Sequence, residues 1–376
     1  MNLAPPGAWV ARNRAPLRLG LRITVAGLLA FAIGHGLGLA QTYWAVLTAI
    51  IVTQASVGGS VKASLDRFTG SLGGAAWGAG VSLSVPHETL WGLGLTLAIA
   101  LAPLAVATAL NPAYRVASVT AVIILLTPTS QAAGPILSAI HRVLEVGLGS
   151  AVALAVAFLV LPERAHGILS RTAARALEMM GELTLVLMAG LSEPRDAARV
   201  VDLNSRIRKA VIAAETAAGE AARERRISPS ASPDPEPLCR TLRRLHNDLA
   251  MVGRASQEPL AEPVRAALAG PAKDAADAVA EFLRQGGQAI AAGAPAPAVA
   301  RLERSLAGYA AAVAELRRNG LTRDLPDDVV GRIFGLTFAL EQLRMNLSDL
   351  TDRANELAGA SRPRAEAEGR AAPSAP

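Results

Sequence analysis

Three ionisable residues stand where charge is scarce. Arg67 precedes a run with no charged residue from Phe68 to Val85, and Arg142 and Glu145 lie three residues apart at the head of another long apolar run. Arginine presents a planar fork of donors that matches a carboxylate or phosphate in two-point contact. Glu145, one helical turn from Arg142, can compete with an incoming anion for that cation. Its protonation would then release the arginine and couple anion movement to a proton. The same two residues also fit a structural pair near an interface. Two polar interruptions have matching character: Thr53, Gln54 and Ser56 with Gly58 and Gly59, and Thr127, Thr129, Ser130 and Gln131 with Gly134. Such stretches line a binding site when they break helices at membrane depth, and are ordinary turns when they lie outside it. His35 reads as a solvated or hydrogen-bonded residue rather than a proton relay.

The elements that would position these residues are membrane spans. A helix crossing a bilayer needs about 20 mostly apolar residues, and six segments approach this: 19–39, 43–60, 68–86, 91–110, 115–134 and 139–161. With the N-terminus inside, Arg12, Arg14, Arg18, Arg22, Lys62, Arg67, Arg115, Arg164, Arg171 and Arg175 flank the cytoplasmic side and Arg142 alone the other. The excess of basic residues near span ends sets orientation, so both termini and everything after Pro162 are expected in the cytoplasm. Tyr43, Trp44 and Trp91 open spans, where amphipathic rings favour the headgroup region. The competing reading of residues 1–40 as a cleaved signal peptide fails on the length of the apolar run and the spans that follow.

The membrane half repeats itself. YWAVLTAIIVTQASVGGS and YRVASVTAVIILLTPTSQAAGP both start at tyrosine, carry Thr-Ala and an aliphatic stretch, and end in small polar residues. Each is followed by an arginine, Arg67 or Arg142, that opens a segment ending in proline. Two tandem units of three spans must run inverted to one another, an arrangement found in transporters. On this topology Arg67 faces the cytoplasmic mouth and Arg142 the outer one. Gly70, Gly74 and Gly78, spaced by four, form a flat stripe for close helix packing, and Gly147, Gly149, Ala153 and Ala157 can do the same.

YWAVLTAIIVTQASVGGSVKASLDRFTGSLGGAAWG, followed later by RVLEVGLGSAVALAVAFLVLP, resembles the fusaric-acid-resistance-like group, which includes aromatic acid exporters of bacterial inner membranes. The aromatic opening, Gly-Gly, arginine and glycine ladder occur in order over roughly residues 15–165, with Ser71 where many relatives have threonine. The resemblance implies export of organic, often aromatic, acids by a protein that is not an enzyme and needs no cofactor. Many bacterial members carry two membrane halves where this chain has one, which implies a homodimer. A distant plant branch forms dimeric anion channels. The implied partners are an organic anion substrate, membrane lipid, a second copy of the chain and, as a candidate, a periplasmic adaptor protein.

The second half reads as an α-helical cytoplasmic domain over 163–360. Ile168, Leu169, Ala173, Leu177, Met180, Leu183 and Leu187 recur at helical spacing and give one apolar face. Further helices are expected at about 196–226, 238–256, 262–292, 297–319 and 326–358, broken by the proline-rich stretch 228–237 and by 293–297. Residues 361–376 lack apolar periodicity and read as a disordered tail.

The net charge of +6 is largely explained by topology, so nucleic acid is not an expected partner. Cys239, the one cysteine, excludes an intramolecular disulfide and has no neighbours suggesting a metal site. No phosphate-binding loop or Ser/His/Asp arrangement is present. The expectation is an all-α inner-membrane protein, six spans as two inverted repeats, that exports organic acids, with a proton-coupling role for Glu145. A passive anion channel and a membrane-anchored helical scaffold are the alternatives.

Overall fold

The computed structural model describes residues 14–39, 41–85, 89–126, 134–227, 233–323 and 325–370. Among them the chain is helical, with no strand, and it divides into two compact units, Met1–Arg164 and Ala165–Pro376.

The first unit holds α1 (Arg14–Gly36), α2 (Tyr43–Val52), α3 (Val57–Ser84), α4 (Leu90–Leu110), a 3-10 turn at Pro112–Tyr114, α5 (Arg115–Leu126) and α6 (Pro135–Leu159). Helices α1, α4 and α6 are each long and apolar enough to cross a membrane, whereas α2 and Pro112–Leu126 are shorter apolar helices. The ends follow local chemistry. Gly38, at φ +68°, closes α1 in the left-handed conformation that glycine tolerates. Ser56 caps α3 and Thr89 caps α4 by accepting the backbone N–H groups of Gly59 and Gly92. Pro135 sits in the first turn of α6, where its missing N–H has no intrahelical partner in any case.

Two span boundaries differ from the expectation. The apolar run expected to continue to residue 60 ends as a helix at Val52, and the next helix begins at Val57 rather than near 68. The cause is the cap at Ser56, which starts a 28-residue helix running through Lys62, Asp66 and Arg67. These charges therefore lie on a helix. Lys62 meets Asp66 at 3.8 Å one turn away, and Arg67 turns inward.

Helices α3 and α6 pack on each other at the centre. Against α6 lie α2 and α1, against α3 lie α5 and α4, and α1 and α4 also touch α2 and α5 respectively. The core is built of small residues, with Ala26, Ala30, Ala49, Val52, Val152, Ala153 and Val156 in one cluster and Ala75, Ala79, Ile124 and Ala139 in another. Glycine sets the spacing. A Cβ on Gly74 would strike the backbone of Ala117 in α5, one on Gly78 would lie 2.9 Å from the Ala121 Cα, and one on Gly149 would strike the backbone of Ala45 in α2. Leu90, Trp91, Leu95, Val106 and Leu110 leave α4 with a broad exposed apolar surface.

The second unit contains α7 (Ala165–Ala189), α8 (Ala197–Ile227), α9 (Glu236–Ala255), α10 (Val264–Ala292), α11 (Ala300–Arg318) and α12 (Asp327–Arg370). Its core includes Leu169, Ala173, Leu177, Met180, Leu183 and Leu187 of α7. Helices α7 and α10 approach closely through a reciprocal pair of glycines, Gly181 against Ala280 and Gly287 against Ala174. Cys239 is buried in α9 and burial pushes its thiol up to about 11. Helix α12 runs on to Arg370, past residue 360 where the apolar pattern ends.

Candidate functional site

The gap between α2 and α3 is a helix break whose polar groups are accounted for. Thr53 bonds back to the Ala49 carbonyl at 2.7 Å, and the Gln54 N–H donates to the Ser60 hydroxyl at 2.9 Å. The Val57 N–H donates to the Glu163 carbonyl at 3.3 Å. Arg22 of α1, 1% exposed, reaches in from the side and donates to the carbonyls of Ala55 and Ala157. A buried break survives only when its backbone is satisfied in this way. Thr53 and Ser56 are therefore used in building the break, and Gln54 is exposed, its amide folded back on the Ile51 carbonyl.

The other end of α2 is different. Trp44 and Thr48 lie one turn apart and so share a face of the helix. The Arg67 Nε of α3 donates to the Thr48 hydroxyl at 3.1 Å, and the Arg142 guanidinium of α6 stacks 3.7 Å above the Trp44 ring. The two arginines are close enough for their charges to repel. Arg142 is 4% exposed, and its Nε and Nη1 are buried with no hydrogen-bond partner among the described residues. Glu145, 2% exposed, attracts it but among the described residues forms no ion pair with it, and its Oε1 accepts the Gln41 backbone N–H at 3.1 Å. A buried cation with unsatisfied donors is costly, and a second arginine beside it makes a site whose electrostatics favour an anion.

Arg67 and Arg142, expected at opposite mouths, thus rest against adjacent turns of one face of α2. The packing of α3 on α6 at the centre brings them there. Thr53, Gln54 and Ser56 lie at the far end of α2, about 13 Å along its axis by helix rise. Thr127, Thr129, Ser130 and Gln131 lie outside the described residues. His35 is exposed and stacks on the Phe31 ring at 5.9 Å. Gly70, Gly74 and Gly78 face α5, in packing contact with Val116, Ala117 and Ala121.

Sequence reasoning missed Trp44 and Thr48 as partners of the arginines, Gln41 as the partner of Glu145 and Trp44, and Arg22 as the clasp of the break. A signal was present for all but Gln41. Trp44 and Thr48 have the i, i+4 spacing of a helix face, and Arg22 follows Arg14 and Arg18 at the same interval, which carries it into the apolar part of α1.

Over a stretch of 67 residues the chain is 40% identical to the proteins named "Uncharacterized transporter YdhK" of Escherichia coli K12 and O157:H7, and 39% identical to that of Salmonella typhimurium. The match covers 18% of this chain and 10% of each relative. The model of the fusaric acid resistance protein family matches residues 17–366. That span includes α2, the break, both inward arginines and nearly all of the second unit, and the chain belongs to the fusaric acid resistance protein family.

Proposed function

We propose that this chain is a membrane transporter that exports organic, aromatic carboxylic acids across the bacterial inner membrane. Family membership, the transporter names of its relatives and three helices long enough to cross a bilayer support the transporter class. The observation that carries the substrate class is Arg142, buried on Trp44, with two donors unpartnered among the described residues and beside Arg67. A carboxylate entering there supplies the missing acceptors, and an aromatic ring matches the apolar, tryptophan-bearing wall.

The reading takes α1–α6 as two inverted three-helix repeats, with both termini and the second unit in the cytoplasm and a homodimer as the complete unit. Packing supports the repeat. Exchanging α1, α2, α3 with α4, α5, α6 maps each neighbour pair onto another, including α2 with α6 onto α5 with α3. Gly74 and Gly149, each seven residues after its arginine, strike matching alanines, Ala117 and Ala45. Glu145 is the proposed proton-coupling residue: protonation weakens its hold on the Gln41 N–H at the head of α2, beside the anion site.

The test is benzoate flux in proteoliposomes. Arg67→Gln and Arg142→Gln should each impair it, and Glu145→Gln should abolish accumulation driven by a pH gradient while sparing downhill exchange. Wild-type flux in both arginine variants removes the carboxylate role. Passive conduction without accumulation by the unaltered protein replaces the exporter with a channel.

A further inference from the structure

Glu145 follows Arg142 by three residues on one helix, a spacing at which side chains are neighbours. Elsewhere in the chain that spacing closes. Arg353 and Glu356, in the same order, meet at 2.8 Å, and Glu281 with Arg284 and Glu341 with Arg344 meet at 2.6 and 2.7 Å. Among the described residues no ion pair joins Arg142 to Glu145. The attraction between them is greater for being buried, so something must divert the carboxylate.

Gln41 does so, and it does more. Its backbone N–H donates to Glu145, its carbonyl accepts the Trp44 backbone N–H at 2.9 Å, and its side-chain Oε1 accepts the Trp44 indole N–H at 2.9 Å and the Tyr43 hydroxyl at 3.2 Å. Indole nitrogen is a donor only, so the bond to Oε1 fixes the rotation of the ring that carries the Arg142 guanidinium. One residue therefore holds both the platform under the arginine and the carboxylate that would otherwise form an ion pair with it.

We propose that Gln41 is a positioning residue of the anion site, which orients Trp44 beneath Arg142 and holds the Glu145 carboxylate out of an ion pair with it. The proposal rests on the reading that Arg142 receives an organic carboxylate. Loss of the side-chain acceptor frees the ring, and the guanidinium loses its stacking partner and its aim.

The experiment uses the full chain labelled with 5-fluorotryptophan, the Trp44 fluorine resonance being assigned by Trp44→Phe, together with benzoate flux. In the unaltered protein the Trp44 resonance should move as benzoate is added. In Gln41→Leu that resonance should shift or broaden before any benzoate is present, with those of Trp77 and Trp91 in place as the sign of a folded protein. Half-saturation for benzoate should rise about tenfold, the scale of a lost cation–π platform, with the maximal rate within about twofold. Gln41→Glu keeps an acceptor for the indole and should restore the Trp44 resonance, while its own charge opposite Arg142 still weakens benzoate. If Gln41→Leu does not fold, Gln41→Asn, too short to reach the ring, takes its place with the same expectations. An unmoved Trp44 resonance with unaltered half-saturation overturns the proposal. Absence of any benzoate response in the unaltered protein instead overturns the transport reading, and the Trp44 resonance of the variant then still decides whether Gln41 holds the ring.

Discussion

Two arginines are buried almost completely at opposite ends of α2, and their surroundings assign them different work. Arg22 donates to two backbone carbonyls, those of Ala55 and Ala157, and closes a break in the fold. Arg142 lies on the face of Trp44 with two nitrogens lacking partners, and the nearby carboxylate is turned to the Gln41 amide. Burial of an arginine is thus not in itself the mark of a site. Among the described residues each keeps a buried Nε without a partner; what distinguishes them is that both terminal nitrogens of Arg22 are used by backbone carbonyls, whereas Nη1 of Arg142 is not used.

The contrast is sharpest in stability against flux. Arg22→Leu leaves the carbonyls of Ala55, in the break, and Ala157, in the last turn of α6, without these donors and should destabilise the protein by about 1–3 kcal/mol for each acceptor left bare. It should be visible as a large fall in thermal midpoint in detergent. Arg22→Lys should recover little, since one ammonium group lacks the fork that spans both carbonyls. Arg142→Gln should do the opposite, keeping or raising the midpoint while benzoate flux falls at least about tenfold, the scale of a lost charge-assisted bond. Equal destabilisation by both substitutions would erase the distinction.

A smaller effect tests the framework that brings Arg67 and Arg142 together. Gly74→Ala and Gly149→Ala each force a methyl against backbone and should each cost about 1–3 kcal/mol. Gly73→Ala and Gly80→Ala meet nothing within 4 Å and should be neutral or slightly stabilising, since alanine is the better helix former. Unequal costs at Gly74 and Gly149, measured as denaturation midpoints, would count against the inverted repeat. The effect expected to be smallest is that of Lys62→Ala, which removes an exposed i, i+4 pair worth at most about 0.5 kcal/mol.

The helices of the second unit were legible to within a few residues, because Leu169, Leu177, Leu183 and their neighbours repeat at the period of an amphipathic helix. The exception is α12, expected to end near 358, which runs on to Arg370 without that period at its end. The first unit was harder to read for a physical reason. In lipid an all-apolar helix carries no periodic signal, so the polar interruption at Thr53, Gln54 and Ser56 was visible but whether it ended the helix at Val52 was not. Arg67, Arg142 and Glu145 were legible as rare charges. Their convergence was not, since it depends on α3 crossing α6. Trp44 looked like a headgroup anchor because it opens a span, and Gln41 carried no signal because its bonds reach residues from 2 to 104 positions away.

Topology needs a probe other than the native thiol. Cys239 is buried with its thiol pushed up to about 11, so in the folded protein it should react slowly with maleimide on whichever side it lies, and faster as pH rises and thiolate forms. In a Cys239→Ala background a cysteine at exposed Glu258 should be protected in intact cells and labelled after permeabilisation. Full labelling in intact cells would invert the proposed orientation.

The most direct test of the central idea, that Arg142 is held with donors free for an organic anion, is stabilisation by benzoate. A ligand bound only by the folded state raises stability by about 2.7 kcal/mol at a hundred times its dissociation constant. The thermal midpoint of the unaltered protein should rise with benzoate concentration, and that of Arg142→Gln should start as high or higher and stay flat. A benzoate-dependent rise of equal size in Arg142→Gln would contradict the account.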